Sequence, residues 1–281
     1  MREAQPPASS GLTEEAPALA ILDEEPRSTA ASFQGALPPI GGVPQQQGPS
    51  ASEMAYGDPL YDKQPGAYAG PETSVGDRKS FEKMTEGATK LGDAPTSVGL
   101  PQAAQDGLQH AWDASVKGGH KQEYGGNLTR DVHNGHMTSY GWRAGKPVKD
   151  DTFLPDPDDH GKDQRVVAVG HTHGYASGAE DVTFSGDDIA GMVDSTNNLD
   201  LLQSGTSRYM ISRTAEFEAR IKNFDEDQLS ALRSDIEGTW TKAFAGKGTI
   251  QERSEQATVA TCRRFQLAYY RGTGAKLDRI V

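Results

Sequence analysis

Two histidines one residue apart close an apolar run. Residues 166–169 are Val-Val-Ala-Val, followed by Gly170, His171, Thr172 and His173. In an extended chain alternate side chains share a face, so the two imidazoles project together from the end of a buried strand. Paired imidazoles are ready ligands for a zinc-like metal, and one carboxylate completes a set that leaves a fourth position open. Asp188, in Ser185-Gly-Asp-Asp188, is the candidate third ligand, with Asp187 and Asp181 as alternatives. Hydrolysis at such a centre needs two more groups: a carboxylate that moves the proton of water and a donor for the oxyanion. Glu123 is the candidate acid–base. Ser185, one helical turn before Asp188, is the candidate donor.

These residues need particular elements to hold them. The apolar run predicts a central strand ending at the histidines. Ser185 is a good N-cap for a helix over 186–194, with Asp187 and Asp188 in its first turn. Glu123 opens Glu-Tyr-Gly-Gly-Asn-Leu-Thr, a short strand whose glycines permit close approach of a backbone or ligand, and residues 136–142 form its hairpin partner. His110, His120, His133, His136 and His160 read as surface or loop positions, with His133 or His136 as the alternative lining for a pocket beside Glu123. Upstream, Ala104, Leu108, Ala111, Trp112 and Val116 predict a helix from Pro101 to Lys117, stopped by Gly118-Gly119. Residues 143–164 form a polar loop. Its Asp-Pro-Asp segment fails as a calcium loop, because His160 and Val167 stand where oxygen ligands are needed. Beyond the site, Tyr209, Ile211 and Arg213 predict a strand that reaches Phe217 as a hairpin. Leu229, Leu232, Ile236, Trp240 and Phe244 predict an amphipathic helix over 225–244, a second helix covers 250–267, and residues 268–281 close the sheet as an edge hairpin. The expected class is α/β: a mixed sheet flanked by helices.

Eleven of the sixteen prolines precede residue 75, amid Gly, Ser, Gln and Ala. Such a segment buries too little apolar surface to offset its chain entropy, so residues 1–98 are expected to be disordered, ahead of a domain over 99–281. Within it, residues 18–22 form a short apolar patch that reads as a docking motif or as plain linker, and 80–91 form a helical turn or two. The net charge of −12 argues against nucleic acid as a partner. The single cysteine, Cys262, excludes an intrachain disulfide and a cysteine-based zinc site, and reads as a small packed residue. No run approaches a membrane span, and residues 1–7 lack the pattern of a signal peptide. The chain is expected to be made in the cytoplasm and exported, if at all, by a specialised secretion system.

Other users of His-x-His fit less well. A cupin needs a glutamate about four residues on and a later histidine, and no histidine follows His173. An amidohydrolase barrel needs some two hundred residues after the pair, whereas 108 remain. Neither a Gly-x-Ser-x-Gly elbow nor a phosphate loop occurs.

Glu123-x-x-Gly126-x-Leu128, His171-x-His173 and Ser185-x-x-Asp188, in that order, resemble the signature of the JAB/MPN (JAMM) metalloproteases, in the form found in bacterial polymorphic toxins and secreted effectors. Gly174 stands where the family usually has proline, and eleven residues separate His173 from Ser185, a few more than usual. The resemblance implies a JAB/MPN-like fold over residues 100–281 and Zn2+ held by His171, His173 and Asp188, with Glu123 as acid–base and Ser185 supporting the tetrahedral intermediate. It implies a hydrolase of peptide or isopeptide bonds with a protein or peptide substrate, and a secretion apparatus, chaperone or immunity protein as further partner. A peptidoglycan-peptide amidase effector and a non-catalytic JAB-like binding module are the alternatives.

Overall fold

The computed structural model describes residues 74–117, 123–144, 160–173 and 180–281. The expectations for residues 1–73, for Gly118-Gly119 and for most of the 143–164 loop lie outside these. The elements are α1 (Val75–Met84), β1 (Ser97–Gly99), α2 (Gln102–Lys117), β2 (Tyr124–Asp131), β3 (Met137–Ala144), β4 (Gln164–Thr172), α3 (Gly186–Gly191), β5 (Leu199–Ser204), β6 (Ser207–Ser212), α4 (Ala215–Ile221), α5 (Glu226–Phe244), α6 (Ile250–Phe265), β7 (Ala268–Gly272) and β8 (Lys276–Arg279). They form an α/β fold around one mixed sheet of eight strands in the order β1-β8-β7-β6-β5-β4-β2-β3. Every neighbouring pair is antiparallel except β4 and β5.

Period-two alternation sorts the strand residues onto two cores. Leu199, Leu201, Met210 and Tyr270 face a cluster built with Phe81, Met84, Leu108 and Leu277, under α1 and α2. Their neighbours Leu202, Tyr209, Ile211 and Tyr269 face the opposite cluster, with Ile189, Phe217, Ile236, Cys262 and Phe265 of α3 to α6. Fully burying a large apolar side chain contributes roughly 1.5–3 kcal/mol, so both helical layers are held chiefly by this burial. The buried free thiol of Cys262 is the packed residue expected.

Four expectations need correction. The fold starts well before residue 99. Ser74 caps α1 with a capping box, Phe81 and Met84 are buried, and β1 pairs with β8. The proline-rich stretch ahead of it hid this segment, whose partners lie far along the chain: Arg279 Nη1 donates to the carbonyls of Leu91 and Ala94. Phe217 lies on α4 rather than on a strand, because Thr214 caps a new helix (its Oγ1 accepts from Phe217 N at 3.2 Å) with Glu216 and Glu218 in the first turn. The helix after Ser185 ends at Gly191, which leaves room for β5. The tail forms its hairpin, but inside the sheet: β1 covers the outer side of β8, so the edges are β1 and β3.

One packing feature fixes the strands next to the histidines. The Trp142 indole lies in a slot made by Gly107 of α2, Gly126 of β2 and Gly170 of β4. A Cβ at these positions would stand 2.4, 2.7 and 2.6 Å from the indole. At Gly126 the room expected for a backbone or ligand is therefore taken, on this face, by a tryptophan.

Candidate metal centre

Strand register brings the site together. In the antiparallel pair β2–β4, Gly125 faces His171, so the chain immediately before β2 runs beside the residue immediately after β4. Tyr124 N donates to Thr172 Oγ1 at 3.1 Å and secures this junction. Glu123 thereby comes beside His173, with Oε1 3.6 Å from Nε2. His171 and His173 are both buried and share one face, their ring centroids 5.1 Å apart.

Asp188 arrives from the other side. Ser185 is the N-cap of α3: its Oγ accepts from Asp188 N at 3.1 Å, and Ser185 N donates to Asp188 Oδ2 at 2.6 Å. This reciprocal capping box holds the Asp188 carboxylate at the helix N-terminus. The carboxylate spans the two imidazoles, with Oδ1 3.4 Å from His171 Nε2 and Oδ2 3.1 Å from His173 Nε2. The segment ahead of α3 is tied down by Trp240 Nε1 and Thr258 Oγ1, which both donate to Phe184 O at 3.0 Å. The Phe184 ring meets His171 edge-on.

His171, His173 and Asp188 form a group able to hold a metal ion, with one ligand atom from each lying within 4.8 Å of the others. Two further observations fit a cation there. His173 Nδ1 is 3.1 Å from Thr183 O, which takes the Nδ1 proton and leaves the Nε2 lone pair turned toward Asp188. His171 Nε2 is buried and has no hydrogen-bond partner among the described residues. The electrostatics agree. Burial opposes a charge on His171, but the Asp188 and Asp200 carboxylates outweigh it and hold the imidazole well above its ordinary pKa. Burial likewise opposes ionisation of Asp188, yet His171 and His173 hold that carboxyl well below the usual range. The site is thus a buried anionic pocket that favours a positive charge.

The alternatives for the third ligand are excluded by position. Asp187 is exposed on α3, and Asp181 Oδ1 accepts from Ser207 N at 3.1 Å. His133 and His136 do not line the pocket: they sit in the β2–β3 turn, at the far end of β2 from Glu123, roughly 25 Å along the strand at about 3.3 Å per residue. Two contributors went unread in the sequence. Thr183 acts through its backbone carbonyl, which no side-chain pattern signals. Asp200 on β5 has Oδ1 3.5 Å from His171 Nδ1; its only local signal was an acid within an apolar Leu-Asp-Leu-Leu run. A cavity of about 110 Å3 lies beside the centre, lined by His171, Asp188 and Asp200 together with Val169, Met192 and Leu199.

Among the described residues, no helix is long and apolar enough to cross a membrane. No protein-family model, curated protein or solved structure matches the chain.

Proposed function

We propose that this chain is a zinc-dependent hydrolase of amide bonds, acting on a peptide or isopeptide, with His171, His173 and Asp188 as metal ligands. The observation that carries the reading is the convergence of those three ligand atoms within 4.8 Å, with the Glu123 carboxylate 3.6 Å from His173 Nε2. Two imidazoles and one carboxylate suit zinc better than magnesium or calcium, which prefer all-oxygen sites. Zinc supplies a Lewis acid that polarises the scissile carbonyl and makes water acidic at neutral pH.

The chain's own residues do the rest. Glu123, partly exposed at the mouth of the site, takes a proton from the attacking water and returns it to the leaving nitrogen, a role worth about 10²–10⁴ in rate. Ser185 Oγ acts as acceptor in the helix cap, which leaves its own proton to donate to the oxyanion. The order of Glu123, the histidine pair and Ser185-x-x-Asp188 supports a JAB/MPN-like enzyme. The toxin-like form of that motif supports an exported effector.

The test is metal content with hydrolysis. Wild type is expected to carry about one zinc per chain, and His171→Ala to lose it. Glu123→Gln is expected to keep the metal and lose at least about 10²-fold in kcat on a peptide, isopeptide or peptidoglycan-peptide substrate that wild type cleaves. A wild type that stays metal-free after reconstitution, or a Glu123→Gln variant of full activity, would end the hydrolase reading.

A further inference from the structure

Asp200 stands where a strand should be apolar. Its neighbours Leu199, Leu201 and Leu202 are fully buried, and aspartate is among the residues strands tolerate least. Asp200 lies opposite Val169 in the parallel β4–β5 pair, so its side chain emerges on the same face as that of His171, two residues further along β4. Its Oδ1 atom is buried and makes no hydrogen bond among the described residues. The His171 ring lies beside it, with Nδ1 3.5 Å away. On the other side of that ring, Nε2 faces Asp188 Oδ1 at 3.4 Å and is likewise without a hydrogen-bond partner. A buried carboxylate oxygen left in this state is costly unless something completes it.

His173 provides the internal comparison. Its Nδ1 is held by Thr183 O, and its Nε2 faces Asp188 at 3.1 Å. His171 has the same two-sided arrangement, with the Asp200 carboxylate in place of a backbone carbonyl. Contacts around a reactive centre are commonly long before its ligand arrives and shorten with it. We infer that Asp200 is the positioning residue of the centre: its carboxylate accepts the Nδ1 proton of His171, fixes that tautomer and aims the Nε2 lone pair at the metal. Both histidines then bind through Nε2, one oriented by a main-chain carbonyl and the other by a carboxylate. Partners of this kind set ring orientation and ligand basicity, and their loss typically weakens metal binding 10–100-fold.

This inference rests on the metal-centre reading above, and its test separates the two. Zn2+ affinity is measured by competition with a chromophoric chelator for wild type, Asp200→Asn and Asp200→Leu, alongside the thermal midpoint of each metal-free protein. Leucine matches its strand neighbours in character but leaves the His171 Nδ1 proton without its acceptor, so the metal-free Asp200→Leu protein is expected to melt below wild type while still unfolding cooperatively. Its Zn2+ Kd is expected to rise 10–100-fold. Asn keeps an oxygen that can accept the Nδ1 proton, so Asp200→Asn is expected to stay within several-fold of wild type, and it serves as the folded reference if the leucine variant misfolds. A leucine variant that binds Zn2+ as tightly as wild type overturns the inference. So does a loss of affinity as large in Asn as in Leu, because an oxygen acceptor would then count for nothing. A wild type that binds no Zn2+ overturns the metal-centre reading itself.

Discussion

Replacing Gly170 with alanine should destabilise the protein through a contact that can be located to single atoms. The new methyl would stand 2.6 Å from Trp142 Cη2 and 3.4 Å from Leu108 Cδ2. Carbon–carbon contacts are most favourable near 3.5–4.0 Å, so the overlap with the ring is about 1 Å. The ring cannot slide away, because Gly107 bounds the indole on another edge, where a Cβ would be 2.4 Å from Cε2, and Gly126 lies against Cγ. Overpacking of this kind costs about 1–3 kcal/mol, which for a domain of this size lowers Tm by about 2–10 °C. Gly170 also precedes His171, so displacement of β4 should weaken metal binding in the same variant. The assay is urea denaturation of wild type, Gly170→Ala, Trp142→Phe and the double variant. Phenylalanine lacks the outer part of the indole that carries Cη2, so the methyl should find space there. In the Trp142→Phe background, Gly170→Ala should cost at least about 1 kcal/mol less than in wild type. Additivity of the two changes within about 0.5 kcal/mol, or a silent Gly170→Ala, would refute the slot as the reason for glycine at this position.

Two further outcomes follow from single groups. Burial pushes the Cys262 thiol far above its ordinary pKa, so native protein at pH 8 should leave a thiol reagent unconsumed and take up one equivalent only on unfolding; rapid native labelling would contradict that packing. Asp77 is held below the usual carboxyl range by Ser97 Oγ, which donates to Oδ1, and then by Ser74, whose Oγ donates to Oδ2 at 2.7 Å. Its folded pKa lies below its unfolded one, so its stabilisation is present above about pH 4 and is lost as pH falls through the folded value. The Tm gap between wild type and Asp77→Asn should therefore hold from pH 6 to about pH 4 and narrow as the pH falls further, and a gap that stays constant through the acid range would contradict the assignment.

Much of the site is written in short-range patterns. Alternation places His171 and His173 on one face whatever the rest of the chain does. Ser185-x-x-Asp188 is a capping box on any helix that starts there, and the observed cap has both of its hydrogen bonds. The helices α2, α5 and α6 follow from three- and four-residue apolar spacing, and they occur where that spacing predicts them. The strand with its hairpin partner after Glu123 is equally local. Each of these depends on residues close together in the chain, within a helical turn or one hairpin, so each can be read from a window.

What escaped the window depends on residues distant in the chain. β5 is buried on both faces, so its leucines show no alternation, and Asp200 has a meaning only once β4 lies beside it. α4 carried a readable cap at Thr214, but the aromatic and aliphatic run before it suggested a longer strand. Residues 75–100 follow directly on the proline-rich stretch and by themselves offer only a helical turn or two, yet Phe81, Met84 and Val98 are buried against strands from the other end of the chain. The choice of Asp188 over Asp181 and Asp187 likewise came from tertiary geometry: all three are acids near the right place, but only Asp188 meets both imidazoles. Residue types and local period specified the candidate ligands and the elements that bear them. Which carboxylate meets which ring was decided by the packing of the sheet and its two helical layers, because a distance between residues far apart in sequence exists only once the chain has folded.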